Sequence, residues 1–296
     1  MLGALLSLGA AFFWAAGVIL FKVSGETFSP VALNIFKSLV AMVLISLTML
    51  IFNMDFYPDP PAGSLFWLAV SGVIGITFAD LFFFMALNRL GAGLTAIVEC
   101  LYLPSVIFFS FLLLDESLSL AAIIGGILVF TAVLVGGVSP GMIPARHQGN
   151  SGIPWFGLFI GCLSMVCVAL GIVIIKDLLA QTEVFWATLV RVSAAIISLF
   201  IFVLIHPKKK TYIRELKFSK AWLYAVPASV CGNFLALLCW VGGMKYTTAS
   251  RAAIFNQMST IFIFILAAVF LKEKITRYRL AAICLALAGA CLTILG

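Results

Sequence analysis

Long apolar runs follow one another along the whole chain, and no other feature constrains the fold as strongly. A helix rises about 1.5 Å per residue, so a run of about 20 residues crosses a hydrocarbon layer of about 30 Å. Lipid offers no partner to backbone polar groups, and a helix pairs them internally. The sequence therefore predicts an all-α integral membrane protein with ten transmembrane helices, which cover residues 3–22, 30–52, 65–88, 91–114, 118–138, 154–175, 183–205, 220–244, 247–271 and 277–295.

The composition agrees with this class. Of the 296 residues, 64% are hydrophobic and 10% are charged, whereas soluble domains carry about 25% charged residues. The net charge of +7 does not indicate nucleic-acid binding, because the basic residues lie at the ends of the runs without interleaved aromatic residues. The first run follows no basic segment and precedes many others, so it is predicted to be a retained span and not a signal peptide. We expect a multi-pass protein of a bacterial inner (plasma) membrane.

Residues that would support catalysis or metal binding are scarce. All seven cysteines lie inside apolar runs and none forms a CxxC pair, which is typical of small core residues. His147 and His206 lie in connections. The chain also lacks the phosphate-binding motif GxxxxGK[ST]. We therefore expect no enzyme, no cofactor, no metal site and no direct use of ATP.

The chain divides into two halves that resemble each other. Residues 139–153 have the Pro, Gly, Asn and Ser content of a linker and separate a unit at 1–138 from a unit at 154–296. Residues of the first unit match residues 154 to 157 positions later: Gly17 with Gly171, Lys22 with Lys176, Lys37 with Arg191, Arg89 with Lys245 and Glu116 with Glu273. Because each half has five spans, the second is predicted to be inverted relative to the first.

Four segments carry a family resemblance: FWAAGVILFK, SPVALNIFK, ALNRLGAGLTAIVECLYLPSVIFFSFLLLDESLS and, in the second half, FLKEKITRYRLAAICLALAGACL. Together they resemble the EamA-type domain of the drug/metabolite transporter superfamily, over essentially the whole chain. The resemblance implies export of metabolites, amino acids or drug-like compounds. Two positions depart from the family pattern: the proline of the fourth span is present as Pro104 but absent near Thr260, and the cation of the second span is Lys37 where arginine is common.

Three ionisable residues lie at one depth in the first half. Lys37, Asp80 and Glu99 fall roughly 10 to 12 Å from the same membrane face. Charges inside lipid are costly, so these groups are expected to cluster and leave one carboxyl for protonation or another partner. A static ion cluster that holds the helices in register is an alternative explanation. In the second half, Arg191 and Asn256 lie at a comparable depth from the opposite face.

These residues define the predicted substrate site. Lys37 and Arg191 are expected to face an anionic group, and Glu99 or Asp80 an ammonium group or a coupling proton. The remaining candidates are an apolar wall and two polar side chains, formed by Trp14, Tyr102, Asn34 and Asn256. Packing and interhelical hydrogen bonding are the alternative roles for these four.

The leading functional prediction is a secondary active exporter of a small organic metabolite, such as an amino acid or a drug-like compound, driven by protons and acting as a monomer or homodimer. One alternative is an importer of an organic cation such as a quaternary amine, with carboxylates and aromatic rings around the charge. Another is a membrane scaffold subunit that transports nothing.

Two arguments about orientation disagree. With ten spans, both termini share one face, whose connections hold two basic residues, Lys176 and Lys245. The opposite face gathers thirteen: Lys22, Arg89, Arg146, Lys208, Lys209, Lys210, Arg214, Lys217, Lys220, Lys272, Lys274, Arg277 and Arg279. The positive-inside rule therefore places the termini outside the cell, whereas the family resemblance implies cytoplasmic termini.

Overall fold

The computed structural model describes residues 1–114, 117, 119–138, 155–273 and 276–294, and within these ranges the chain is helical without any strand. The linker and Glu116 lie outside the described residues. Most of the helices are long and follow the apolar runs closely: α1 Leu2–Ser24, α2 Pro30–Ile51, α3 Ser64–Leu90, α4 Ala92–Leu113, α5 Leu120–Val138, α6 Trp155–Val173, α8 Val184–Ile205, α10 Trp222–Tyr246, α11 Ala249–Asn256 with Met258–Phe270, and α12 Arg277–Ile294. Two short helices lie between them, α7 Lys176–Gln181 and α9 Lys209–Glu215.

Eight helices in the described part are long and apolar enough to cross a membrane. The predicted membrane class and the all-α fold are therefore confirmed. In α5 and α12 the apolar stretches, Ile123–Val135 and Leu280–Leu292, are shorter. These two helices pack against each other, and a Cβ atom at Gly289 would lie 2.7 Å from the carbonyl oxygen of Gly125. That all ten helices span the membrane stays a prediction for this pair.

Irregular turns interrupt four of the long helices near their middles. A wider π-helical turn occupies Val73–Phe78 in α3, and another occupies Val230–Leu235 in α10. Helix α4 breaks after Glu99 and resumes at Tyr102, while α11 breaks at Gln257. Pro104 explains the break in α4, because it has no N–H to donate to the carbonyl of Cys100, one turn earlier. The break in α11 occurs without a proline.

Glycines let helices from the two halves approach closely. A Cβ atom added to Gly17 of α1 would lie 2.6 Å from the Cα of Gly232 in α10. One added to Gly171 of α6 would lie 2.7 Å from the Cα of Gly75 in α3. Side chains cannot fit at such distances, so both crossings depend on glycine. They bring the two π-helical turns to the centre of the bundle.

The helix connections gather at two ends. One end holds the Lys-rich connection between α8 and α10, residues 206–221, and we call it the basic end. There the Ser29 N–H donates to Glu215 at 2.9 Å. The N–H groups of Ala92 and Gly93 there donate to Glu273 at 3.0 and 3.1 Å. At the opposite end, the acidic end, Lys245 donates to the carbonyl of Thr182 at 2.7 Å. Contacts between the halves therefore tie the connections together at the basic end, whereas the contact at the acidic end lies within the second half.

Candidate functional site

A cavity of about 100 Å³ lies at the centre of the bundle, between α1, α3, α4, α6, α10 and α11. Both halves of the chain contribute to its wall. Five of the predicted site residues line it, namely Trp14, Asp80, Glu99, Tyr102 and Asn256. The other three, Asn34, Lys37 and Arg191, are buried behind the lining residues.

Lys37 is held in a closed polar cluster. Its Nζ donates to Asp80 Oδ2 at 2.6 Å and to Asn233 Oδ1 at 2.9 Å. The Asn233 amide donates in return to the backbone carbonyl of Lys37 at 3.2 Å. The lysine is 1% exposed. An ammonium group has three donors, and two of them already have anionic or carbonyl partners here.

Asn233 was not among the predicted site residues. It lies inside the π-helical turn of α10 and lines the cavity. Its polar amide within an apolar run was the available sequence signal, since such residues face the interior of a bundle. The π-helical turn, which has no clear sequence signature, sets the direction of its side chain.

Asn34 lies in α2 and binds the π-helical turn of α3. Its amide donates to the carbonyls of Ile76 and Thr77, both at 3.1 Å. A π-helical turn shifts the hydrogen-bond register and leaves carbonyls that need other donors. Asn34 therefore stabilises the irregular turn of α3 next to the cavity.

Glu99 lies in the cavity wall and bonds to tryptophan, not to Lys37. The indole Nε1 of Trp14 donates to Oε2 at 3.2 Å, and Trp14 packs on Phe83 with ring centroids 5.2 Å apart. The other carboxyl oxygen, Oε1, is buried without a hydrogen-bond partner in the described part of the chain. A buried acceptor of this kind is costly unless a ligand, water or proton satisfies it.

Arg191 is another buried side chain whose hydrogen bonds are not made. Its side chain is 0% exposed, and none of its three guanidinium nitrogens has a partner among the described residues. The guanidinium lies 5.4 Å from the ring centre of Trp240. Trp240 in turn donates to the Tyr102 hydroxyl at 2.9 Å.

Only a thin wall separates Arg191 from the cavity. A Cβ atom at Gly75 would lie 3.3 Å from Nη2 of Arg191, and both Gly75 and Trp240 line the cavity. Glycine thus lets the guanidinium pack against the backbone of a cavity-lining residue, where a Cβ atom would crowd Nη2, although Arg191 itself is 0% exposed and does not line the cavity. Arginine offers a planar fork of donors that suits carboxylate and phosphate groups.

Neutral polar groups complete the wall at the break in α11. Asn256 and Gln257 both line the cavity. Gln257 Nε2 donates to Thr260 Oγ1 at 3.0 Å, and Thr260 contacts the sulfur of Cys100 at 3.5 Å. Thr260, close to where the proline of the first half has no counterpart, therefore links the broken segments of α4 and α11.

An open pocket of about 430 Å³ lies at the acidic end. Lys176, Asp177, Lys245, Thr247 and Thr248 contribute polar atoms to it. From the sequence, Lys176 and Lys245 were predicted to lie in connections on one membrane face, with no part in the substrate site.

Sequence and structure comparisons relate the chain to known transporters and to a protein of the same fold. The chain matches the EamA-like transporter family over residues 1–136 and 155–295. It is 27% identical to an uncharacterized transporter of Archaeoglobus fulgidus over 286 residues, which make up 95% of this chain and 94% of the relative. A protein of known crystal structure superposes with a TM-score of 0.72 at 18% identity, over 99% of this chain and 96% of that chain. This last match supports the fold alone.

Proposed function

The chain belongs to the EamA-like transporter family, and we propose that it is a secondary active transporter of a small zwitterionic metabolite such as an amino acid. The observation that carries this proposal is the pairing of two unsatisfied groups at one cavity. Glu99 offers a carboxyl oxygen, and Arg191 offers guanidinium donors behind Gly75. A ligand with an ammonium group and a carboxylate would satisfy both at once.

The proposal includes a membrane topology of ten spans in two inverted repeats. Its support is the spacing of irregular features, since the π-helical turns of α3 and α10 begin 157 residues apart. The close glycine contacts are reciprocal too: Gly17 of the first half meets the turn of the second, and Gly171 of the second meets the turn of the first. Inverted repeats with broken helices at the midplane are typical of secondary transporters.

The proposed roles differ between the two cations. Arg191 binds the anionic group of the substrate, because its donors have no other partner in the described chain. Lys37 keeps α2, α3 and α10 together through Asp80 and Asn233. Trp14 and Tyr102 form the apolar wall, and Asn256 adds a neutral polar contact.

Proton coupling is assigned to Glu99. The site has no nucleotide motif to draw on, so an ion gradient supplies the driving force. Asp80 is held by Lys37 at 2.6 Å, whereas one oxygen of Glu99 has no partner, and so Glu99 is the better proton acceptor of the two. The ammonium group of the substrate and the proton would compete for the Glu99 carboxyl. Because only one of them binds at a time, the movement of one is coupled to the movement of the other. In the direction proposed, export from the cell, protons enter as the substrate leaves.

Import of a quaternary amine is a second candidate function. The aromatic residues Trp14, Phe83, Tyr102 and Trp240 line the cavity around Glu99, and such rings attract organic cations. The buried charge of Arg191 opposes a cationic ligand, which makes this the weaker proposal.

A ligand-binding screen tests the proposal. Purified protein would be melted with neutral amino acids, monocarboxylates and quaternary amines, each at millimolar concentration. We expect amino acids to raise the melting temperature of the wild type, and Arg191→Gln to lose that shift. Lys245→Gln, which removes a cation at the acidic end, is the control and should keep it. Stabilisation by amines alone, or a shift that survives Arg191→Gln, would contradict the assignment.

Transport in proteoliposomes tests the coupling. Uptake of the stabilising amino acid is measured with an imposed pH gradient and without one. The wild type should respond to the gradient, whereas Glu99→Gln should exchange substrate across the membrane without responding. Flux that ignores the gradient in the wild type would remove the proton from the mechanism.

A further inference from the structure

A strongly basic segment connects α8 to α10 at the basic end of the bundle. This basic arm, residues 206–221, contains one acid and six Lys or Arg residues. All six are exposed: Lys208, Lys209, Lys210, Arg214, Lys217 and Lys220. None of them takes part in the central cavity, so the transport mechanism does not explain them.

The single acid of the arm is directed inward. Glu215 accepts a hydrogen bond at 2.9 Å from the backbone N–H of Ser29, the N-cap residue of α2. Partial burial, together with the neighbouring Glu215 carboxylate, raises the pKa of Tyr212, so its hydroxyl carries no charge near neutral pH. The outer surface of the arm is therefore positive.

Apolar side chains are exposed among these cations. Ile213 is 56% exposed and Phe218 is 87% exposed, and Leu223 at the start of α10 is 73% exposed. Exposed aromatic and aliphatic residues next to Lys and Arg are typical of segments that lie in the headgroup region of a bilayer. Because α8 and α10 both span the membrane, the arm between them is held at that depth.

The arm is also fixed in shape. The His206 ring lies between Phe202 and Tyr212, with centroid distances of 5.1 and 5.2 Å. Trp222, at its far end, packs on Phe36 of α2 with centroids 4.7 Å apart. The arm is therefore tied to the bundle on both sides of α9, and its backbone does not need to be ordered when a partner binds.

We propose that the basic arm is a docking surface for anionic phospholipid headgroups in the leaflet at the basic end, and that the bound lipid holds the arm against the start of α2. Phosphate groups complement the six cations, and acyl chains complement Phe218 and Leu223. Because Glu215 ties the arm to Ser29, lipid binding stabilises the helix that carries Lys37. Each Lys or Arg near an anionic surface strengthens binding about fivefold.

Lipid titration of the purified full-length chain tests this proposal. Phosphatidylglycerol is added to protein in a neutral detergent, and its binding is followed by native mass spectrometry and by the melting temperature. We expect binding to exceed that of phosphatidylcholine at least tenfold and to weaken as salt rises. The variant Lys209→Gln, Lys210→Gln, Arg214→Gln should bind phosphatidylglycerol about 100-fold less tightly.

A matched variant distinguishes the effect of the arm's own cations on lipid affinity from the effect of the protein's net charge. Arg89→Gln, Lys272→Gln, Arg277→Gln removes three cations at the same end but outside the arm, and it should keep most of the affinity. Equal losses in both variants would overturn the proposal, as would equal binding of the two lipids by the wild type. Tighter binding of a short RNA than of phosphatidylglycerol would assign the arm to another class of partner.

Discussion

Replacement of Asp80 by asparagine tests whether the Lys37 cluster is structural. The change keeps the shape of the side chain but removes the negative charge, so the buried lysine keeps only neutral amide oxygens as acceptors, among them that of Asn233, 2.9 Å away. Removal of one member of a buried ion pair costs about 3–5 kcal/mol. We expect the lower figure, about 3 kcal/mol, because Asn233 keeps one strong hydrogen bond to the charge. For a chain of 296 residues that corresponds to a fall in melting temperature of about 5 °C.

Two further variants separate the stability that comes from the Lys37–Asp80 ion pair from the stability that comes from the Asn233 hydrogen bond. In Lys37→Met with Asp80→Asn no unpaired charge remains, so stability should recover to within about 1–2 kcal/mol of the wild type. Asn233→Ala leaves the ion pair of 2.6 Å in place and should cost about 1.5–3 kcal/mol, the value of a hydrogen bond to a charged group.

The measurement is equilibrium unfolding in micelles, with melting by intrinsic fluorescence as a second readout. The structural account is refuted if Asp80→Asn unfolds within 0.5 kcal/mol of the wild type. It is refuted as well if the double variant is less stable than the sum of its single changes. Either result would indicate that Lys37 and Asp80 are free to engage a ligand.

Three other perturbations have defined outcomes. Arg191→Met should abolish amino-acid binding yet leave the free energy of unfolding unchanged or about 1 kcal/mol higher, because it removes a buried charge that has no hydrogen-bond partner among the described residues; a large loss of stability in denaturant unfolding would contradict this. Gly17→Ala should destabilise by about 1–3 kcal/mol through its clash with Gly232, whereas Gly9→Ala, where the new Cβ meets only a sulfur 3.8 Å away, should be neutral or stabilising in the same melt. Epitope tags at both termini should be accessible from outside intact cells, since the exposed cations of the basic end favour the cytoplasm; tags reached only after permeabilisation would reverse the orientation.

The fold followed from the sequence because one physical constraint dominates it. A chain in lipid must pair its backbone within helices, so the apolar runs locate the helices almost directly. The observed α1 and α2, for example, agree within two residues with the predicted spans at 3–22 and 30–52. The short helix α9 was not predicted, because its basic sequence lies outside the apolar runs and depends on packing against α2 and α8.

The site was less predictable, because helix depth does not determine helix rotation. Depth placed Lys37, Asp80 and Glu99 in one layer, and the structure brings the first two together at 2.6 Å. Glu99 instead meets Trp14. The π-helical turns change the rotation of everything beyond them, and this is why Asn233 reaches Lys37 although the repeat gave no indication of it.

The two halves place cations at corresponding positions but give them different surroundings. Lys37 corresponds to Arg191, while its partners Asp80 and Asn233 correspond to Leu237 and Ile76, each 157 residues away. Leucine and isoleucine side chains accept no hydrogen bond, so these two positions give the guanidinium no acceptors like those that bind the lysine.

A buried arginine without partners is costly, and the chain places it behind a glycine that leaves it within reach of the cavity. The cost is recovered only when an outside group supplies the missing acceptors. An anionic ligand in the cavity would take the place that Asp80 has beside Lys37. In the proposed mechanism, the first half therefore holds its cation in place through Asp80, and the second half offers its cation to the substrate.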